Sequence, residues 1–340
     1  MRTDDFDYDL PQRFIAQRPA EPRDASRLLV LDRSRDQITH ALFRDLPSYL
    51  NPGDVLVLNE TRVIPARLHA RKRPGGGVVE LLLLRRIEPR LWEVMVGGRG
   101  LTVGTVVDVE GGPEGTIEAA GHAALRVIRF SEPIAPLLDS IGSMPLPPYI
   151  REPLRSPDEY QTVYARTPGS AAAPTAGLHF TPALLQAIAD RGVVTARIVL
   201  HVGLDTFAPV TVEDPTFHPI HRELCRLDPP TAQVINQARP SGGRVIAVGT
   251  TTVRTLETAA RHALPGETVG VFEGETDLLI LPGNRFQAVD TMITNFHLPR
   301  STLLMLVAAF AGRERILAAY ETAKAEGYRF YSFGDAMLIV

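Results

Sequence analysis

The chain has 340 residues, 22% charged and 44% apolar, with 27 glycines, 28 prolines and a net charge of −3. That profile fits an ordinary globular protein of roughly two domains and excludes disordered and fibrous classes and a uniformly basic nucleic-acid coat. A lone cysteine, Cys225, excludes an intrachain disulfide and a cysteine zinc cluster, while an acidic N-terminus and apolar runs no longer than residues 303–311 predict a soluble, cytoplasmic protein with no membrane contact.

In chain order, residues 28–31 and 54–58 read as strands of a buried sheet. From about Arg62 the texture changes to short strands, predicted at 78–84, 91–96, 105–109, 116–119 and 125–130. Gly75-Gly76-Gly77, Gly97-Gly98, Gly111-Gly112-Pro113, Gly115 and Gly121 punctuate them. Strands at this spacing, with no helical period, indicate a small antiparallel barrel or sandwich. Met144-Pro145-Leu146-Pro147-Pro148 is a stiff, extended exit.

Beyond it the pattern alternates. Thr181-Pro182 opens a helix, because a hydroxyl caps the first turn and proline there forfeits no hydrogen bond; Gly192 closes it. Strands are predicted at 193–200, 244–248 and 289–294, a turn at 249–252 and a helix at 253–263. A helix at 301–310 is apolar on every face and therefore internal. The expected architecture is an α/β layered sandwich domain, residues 1–61 and 149–340, with an inserted all-β barrel domain at 62–148.

Familiar chemical motifs are absent: no Walker A loop, no G-x-G-x-x-G after a strand, no HExxH and no G-x-S-x-G elbow. His179 and His297 precede predicted helices, whose positive ends favour neutral imidazole, and His201 ends a strand, where open α/β sheets place ligands. His179 and His297, each taken singly, read first as packing residues, and their two similar settings in one domain shift that reading toward function. Gly249-Thr250-Thr251-Thr252-Val253-Arg254 offers N–H groups and hydroxyls for an anion, or simply a threonine-rich cap. Pro174-Thr175-Ala176-Gly177 resembles a small-residue loop that lets a ligand approach. Arg62, Arg67, His69, Arg71, Lys72 and Arg73 form a run without acids, either a phosphate footprint or solvated charges. His218, His221 and Glu223 compose a metal set of unfamiliar spacing.

Taken together, these stretches resemble one family, the S-adenosylmethionine:tRNA ribosyltransferase-isomerases of queuosine synthesis. The resemblance rests on Asn51-Pro52-Gly53-Asp54 through Asn59-Glu60-Thr61-Arg62-Val63-Ile64-Pro65-Ala66-Arg67-Leu68, then residues 144–150, Tyr160-Gln161-Thr162-Val163-Tyr164 and residues 173–180. It continues through 200–207, 245–254, 294–304, Tyr328-Arg329-Phe330 and Gly334-Asp335-Ala336-Met337. It implies an α/β domain carrying a β-barrel. The implied reaction moves the ribosyl part of S-adenosylmethionine onto 7-aminomethyl-7-deazaguanine at the tRNA wobble position. Epoxyqueuosine forms, adenine and methionine leave, and no metal or other cofactor is needed.

The sulfonium acidifies neighbouring ribose protons, so a base generates an ylide, and a proton donor assists the departing adenine. The residues expected to carry this are His179, His201 and His297 for proton transfer, with His179 the first choice for the base because Thr175-Ala176-Gly177 gives a ligand room beside it. Thr61, Arg62, Thr175, Gly177, Thr206, Glu223, Thr250, Thr251, Arg254 and Asn295 are expected to bind S-adenosylmethionine or the modified base. Arg67, Arg71, Lys72 and Arg73 are expected on tRNA, with the protein a monomer. The chain departs from the family pattern at Asp205, usually glycine, at Arg222-Glu223-Leu224 and at Asn59-Glu60-Thr61. A tRNA-binding protein without catalysis and a metal-dependent hydrolase using His218, His221 and Glu223 are the alternatives.

Overall fold

Two apolar runs near the N-terminus become strands β1 (Arg27–Asp32) and, after the hairpin strand β2 (Gln37–Leu42), the fully buried β3 (Val55–Asn59). Asp32 turns the hairpin by accepting the backbone N–H of Ser34 and Arg35. The computed structural model describes residues 1–203, 209–220 and 222–340. Contacts divide the chain into two compact units. One comprises Met1–Thr61, Pro148–Thr167 and Pro174–Val340, and the other Arg62–Pro147 with Pro168–Ala173. Pro168–Ala173, assigned to the α/β part on sequence, groups with the barrel because Ser170 accepts the N–H of Ile64 at 3.0 Å.

The second unit takes all but the first residue of β4 (Thr61–Val63) and of β11 (Thr167–Ser170), which pairs with β4, and contains β5 (Arg67–Arg73), β6 (Val78–Arg86), β7 (Leu91–Gly97), β8 (Val106–Val109), β9 (Glu114–Ala120), β10 (Leu125–Phe130) and helix α1 (Leu138–Ile141). Strands β5 to β10 close into a barrel. Five of its strands follow the glycine punctuation. The sixth is the basic run itself: β5 pairs with β6 on one side and β8 on the other. Its alternation explains the composition, since Leu68 and Ala70 are buried while His69, Arg71 and Arg73 are exposed. Leu81, Trp92, Val94, Val107, Ile117 and Phe130 are among the residues buried with them.

The first unit continues with α2 (Pro182–Asp190), β12 (Val194–Leu200), β13 (Glu223–Leu227), α3 (Pro229–Ala238), β14 (Val245–Val248), α4 (Thr250–Ala260), β15 (Phe272–Thr276), β16 (Thr291–Asn295), α5 (Thr302–Ala311), α6 (Arg313–Ala325) and β17 (Ala336–Ile339). Among the described residues the sheet runs β15-β13-β12-β3-β14-β16-β17-β1-β2. Its centre, β12, β3, β14 and β16, is parallel. Leu56, Leu58, Ile246, Val248 and Ile293 pack beneath Phe180, Leu184 and Ile188. The caps read from sequence are present: Thr181 accepts from Leu184 N–H and Ser301 from Leu304 N–H. The predicted turn at 249–252 is instead the first turn of α4, and β2, β13, β15, β17, α3 and α6 have no counterpart in the sequence reading.

Because the four central strands are parallel, their carboxyl ends (Asn59, Leu200, Val248 and Asn295) lie along one edge of the sheet. Strand β17 runs against β16, and β1 runs with β17, so the chain entering them, including Tyr331 and Ser26, arrives at the same edge. Among the described residues no helix is long and apolar enough to cross a membrane.

Candidate active site

Asn59 organises this edge. A buried amide must find partners, and the Asn59 side chain finds them on three elements: its Oδ1 accepts the N–H of Leu200 and Thr61 at 3.1 and 3.2 Å. Its Nδ2 donates to Leu200 O at 3.0 Å and to the Thr251 hydroxyl, in the first turn of α4, at 3.3 Å. Thr61 is thereby set with its hydroxyl 2.8 Å from Nδ1 of His201. His201 is partly exposed, and among the described residues its Nε2 has no hydrogen-bond partner. Burial, and secondarily the charge of Arg226, hold its pKa below the ordinary histidine value. It is a neutral imidazole, oriented through one nitrogen and, among the described residues, unengaged at the other.

His179 sits differently. The Thr175 hydroxyl donates to Asn295 Oδ1 at 3.0 Å, which turns the Asn295 amide N–H₂ toward His179 Nε2 at 3.1 Å. Nε2 is therefore the acceptor, and Nδ1 carries the proton and donates to Ser26 Oγ at 2.8 Å. The ring stacks on Phe43 at 4.9 Å. Both nitrogens are occupied. Its pKa falls to about 3, mainly through burial and then through Arg329 and Arg23.

His297 meets the Thr294 hydroxyl through Nε2 at 2.6 Å, and burial alone lowers its pKa to about 3. Its backbone is held by Tyr320, which accepts its N–H, and by Tyr8, which donates to its carbonyl. Both buried histidines are neutral as expected, but for a different reason. Helix α2 begins three residues after His179 and α5 five after His297, and a helix end acts only within about its first turn.

Two expected ligand residues form a buried strut. Glu223 accepts the N–H of Gly203 at 2.9 Å and pairs with Arg254, both side chains being almost fully buried. Arg254 also donates to the carbonyls of Leu278 and Thr276. The guanidinium is thus committed to protein partners, and the strut fixes the backbone two residues past His201. Thr250 and Thr251 begin α4, which no side chain caps. Gly249 has φ +89°, and a Cβ there would touch Ala176 at 3.5 Å, so the two loops abut.

At Gly177 the space a side chain would take is already occupied. The place of its missing Cβ is filled by Tyr164, whose hydroxyl would stand 2.0 Å from that atom. The loop's smallness serves packing there.

In the barrel unit Arg62 is exposed. The basic run is largely neutralised across strands: Arg73 pairs with Asp108 and Glu114, Arg71 with Glu110 at 3.7 Å and Arg67 with Glu80 at 3.6 Å. Lys72 instead lies 3.5 Å from the carbonyl of Arg99. Thr206, Asp205 and His221 lie outside the described residues. Among the described residues no group of three or more histidine, cysteine, aspartate or glutamate side chains is placed to hold a metal. Asn59, Ser26, Thr294 and Arg226 were missed as site residues; a polar residue closing a buried strand was the available signal for Asn59.

The sequence model of the family described as "Queuosine biosynthesis protein" matches residues 3–339. The S-adenosylmethionine:tRNA ribosyltransferase-isomerase of Symbiobacterium thermophilum is 55% identical, and that of Moorella thermoacetica 54%, each over the whole of both chains. A crystal structure of S-adenosylmethionine tRNA ribosyltransferase from Thermotoga maritima is 41% identical, covering 99% of this chain and 100% of that one, with a TM-score of 0.58. With a family match spanning nearly every residue and relatives aligned end to end, the chain belongs to the queuosine biosynthesis protein family.

Proposed function

We propose that the protein transfers and isomerises the ribosyl moiety of S-adenosylmethionine onto 7-aminomethyl-7-deazaguanine in the tRNA wobble position, giving epoxyqueuosine-tRNA with release of adenine and methionine. The full-length match to named ribosyltransferase-isomerases carries the reading. The sulfonium substrate is consumed, and the reaction as written calls on no further cofactor.

Within that reading His201 is the proton-transfer group. It combines partial exposure, a lowered pKa and an Nε2 unengaged among the described residues with a Thr61 contact that sets its ring. A base must have a lone pair within reach of the proton it removes. His179, with both nitrogens bonded, instead holds Asn295 and the Thr175 loop in place. The start of α4 supplies N–H groups and the Thr250 hydroxyl to the methionyl carboxylate or ribose. The test is incubation with S-adenosylmethionine and tRNA carrying the modified base, followed by nucleoside mass spectrometry. Epoxyqueuosine with equimolar adenine is the expected product; unchanged tRNA rejects the reading.

A further inference from the structure

Along β12, lined by Thr195 to Val199 and so ending two residues short of His201, lies a hollow of about 300 Å³ within the first unit. Three guanidinium-bearing residues from separate segments line it: Arg166, from the loop preceding β11, Arg197 of β12 and Arg226 of β13. The sheet register sets Arg226 opposite Val199, two residues before His201. Its charge reaches that histidine.

The hollow also contains two acids, and each is already committed. Glu60 faces Arg197 at 3.7 Å. Asp228 caps α3 by accepting the N–H of Thr231 at 3.1 Å. Arg197 is tied down as well, donating to the Tyr164 carbonyl. Arg166 and Arg226 are different: both are exposed, and among the described residues neither has a carboxylate within 4 Å. Glu273 on β15 stands opposite Arg226 in register, but with no carboxylate within ion-pair distance among the described residues the two exposed guanidinium groups lining this hollow keep donors available to an anion. The contrast with the barrel is direct, since Arg71 and Arg73 there would have to give up carboxylate partners.

We propose that this hollow is a phosphodiester-binding site, in which Arg166 and Arg226 hold the backbone of the nucleic acid next to the nucleotide presented to His201. Forked guanidinium donors match phosphate oxygens in pairs, and contacts of this kind fix register without reading sequence. The proposal rests on the tRNA reading above and assigns the backbone subsite that the reading leaves open. A backbone phosphate meets exposed cations from solvent. The carboxylate of a small substrate is instead served by the amide groups at the start of α4.

The test uses the full-length protein with Arg166→Gln, Arg226→Gln and the double variant; the residues are exposed, and circular dichroism checks their folding. Binding of tRNA is measured against salt concentration, together with KM for each substrate. Removing a phosphate contact lowers the slope of log K against log salt by roughly 0.7 to 0.9. Each single variant is expected to show that drop and the double variant about twice as much, with KM for tRNA raised and KM for S-adenosylmethionine unchanged. An unchanged slope overturns the proposal, as does a rise confined to KM for S-adenosylmethionine, which would make the anion a carboxylate. If the parent protein binds tRNA with a slope that falls in the variants but yields no epoxyqueuosine, the subsite stands and the catalytic reading fails.

Discussion

The Thr61 hydroxyl lies 2.8 Å from Nδ1 of His201, joining the residues that follow the ends of two neighbouring parallel strands. Neither residue reaches that position by local structure alone. The Asn59 amide ties both strand ends together and binds the first turn of α4, so the histidine's orientation depends on three elements at once.

His201→Gln should lower turnover by about 10²–10⁴-fold while leaving folding intact, the usual loss when acid–base assistance is removed. Thr61→Val should cause a smaller loss, because the ring remains but its orientation is no longer held. The acid limb of kcat/KM should lie below the ordinary histidine value, since burial and Arg226 lower the His201 pKa. Arg226→Gln should move that limb to higher pH. Turnover of His201→Gln within about threefold of the parent would end the assignment.

Stability should fall as pH is lowered from about 6.5 toward 3. His179 and His297 are held neutral to about 3 in the folded protein, against 6.5 ordinarily, so in this window the unfolded chain binds more protons. The limiting slope is about 1.4 kcal/mol per pH unit for each histidine. Denaturant titrations from pH 7 to 4 should show it, and His179→Gln should flatten the curve at the cost of leaving Ser26 or Asn295 with a poorer partner.

Gly177→Ala should destabilise the protein by about 1–3 kcal/mol, as overpacking does. The new methyl group would collide with the Tyr164 hydroxyl. Adding Tyr164→Phe removes the colliding oxygen and should restore part of the loss in chemical denaturation. Two additive penalties would place the strain elsewhere.

Thr250→Val should raise KM for S-adenosylmethionine more than KM for tRNA, because the hydroxyl stands at the uncapped start of α4. Steady-state kinetics with each substrate varied in turn decides it. Equal effects on both would remove this helix start from the sulfonium substrate's site.

Neutralising Arg71, Lys72 and Arg73 should weaken tRNA binding and flatten its salt dependence if the barrel strand touches phosphate. The loss should be largest for Lys72, whose ammonium faces a carbonyl, and smaller for Arg73, which already has two carboxylate partners. A salt slope unaffected by the triple variant would take this strand out of the interface.

The layered α/β architecture with a barrel was readable because its signals are local. Glycine pairs spaced a strand apart mark the barrel, Thr181-Pro182 and Ser301 mark helix starts, and runs such as 54–58 and 289–294 mark buried strands. Ending a strand at His201 also followed from pattern alone. What chain order could not supply were pairings between distant residues. Arg73 finds Asp108 and Glu114, 35 and 41 residues away, so much of a run that looks like free positive charge is paired across the barrel. Asn295 meets His179 across 116 residues and occupies its second nitrogen, a pairing that nothing in the local sequence announces. The Tyr164 ring takes the space that Gly177 leaves open. Local sequence encodes which elements form, through backbone preference and periodicity. The partner of each polar group is decided only when the sheet order brings the strands together, because a hydrogen bond depends on distance in space and not along the chain.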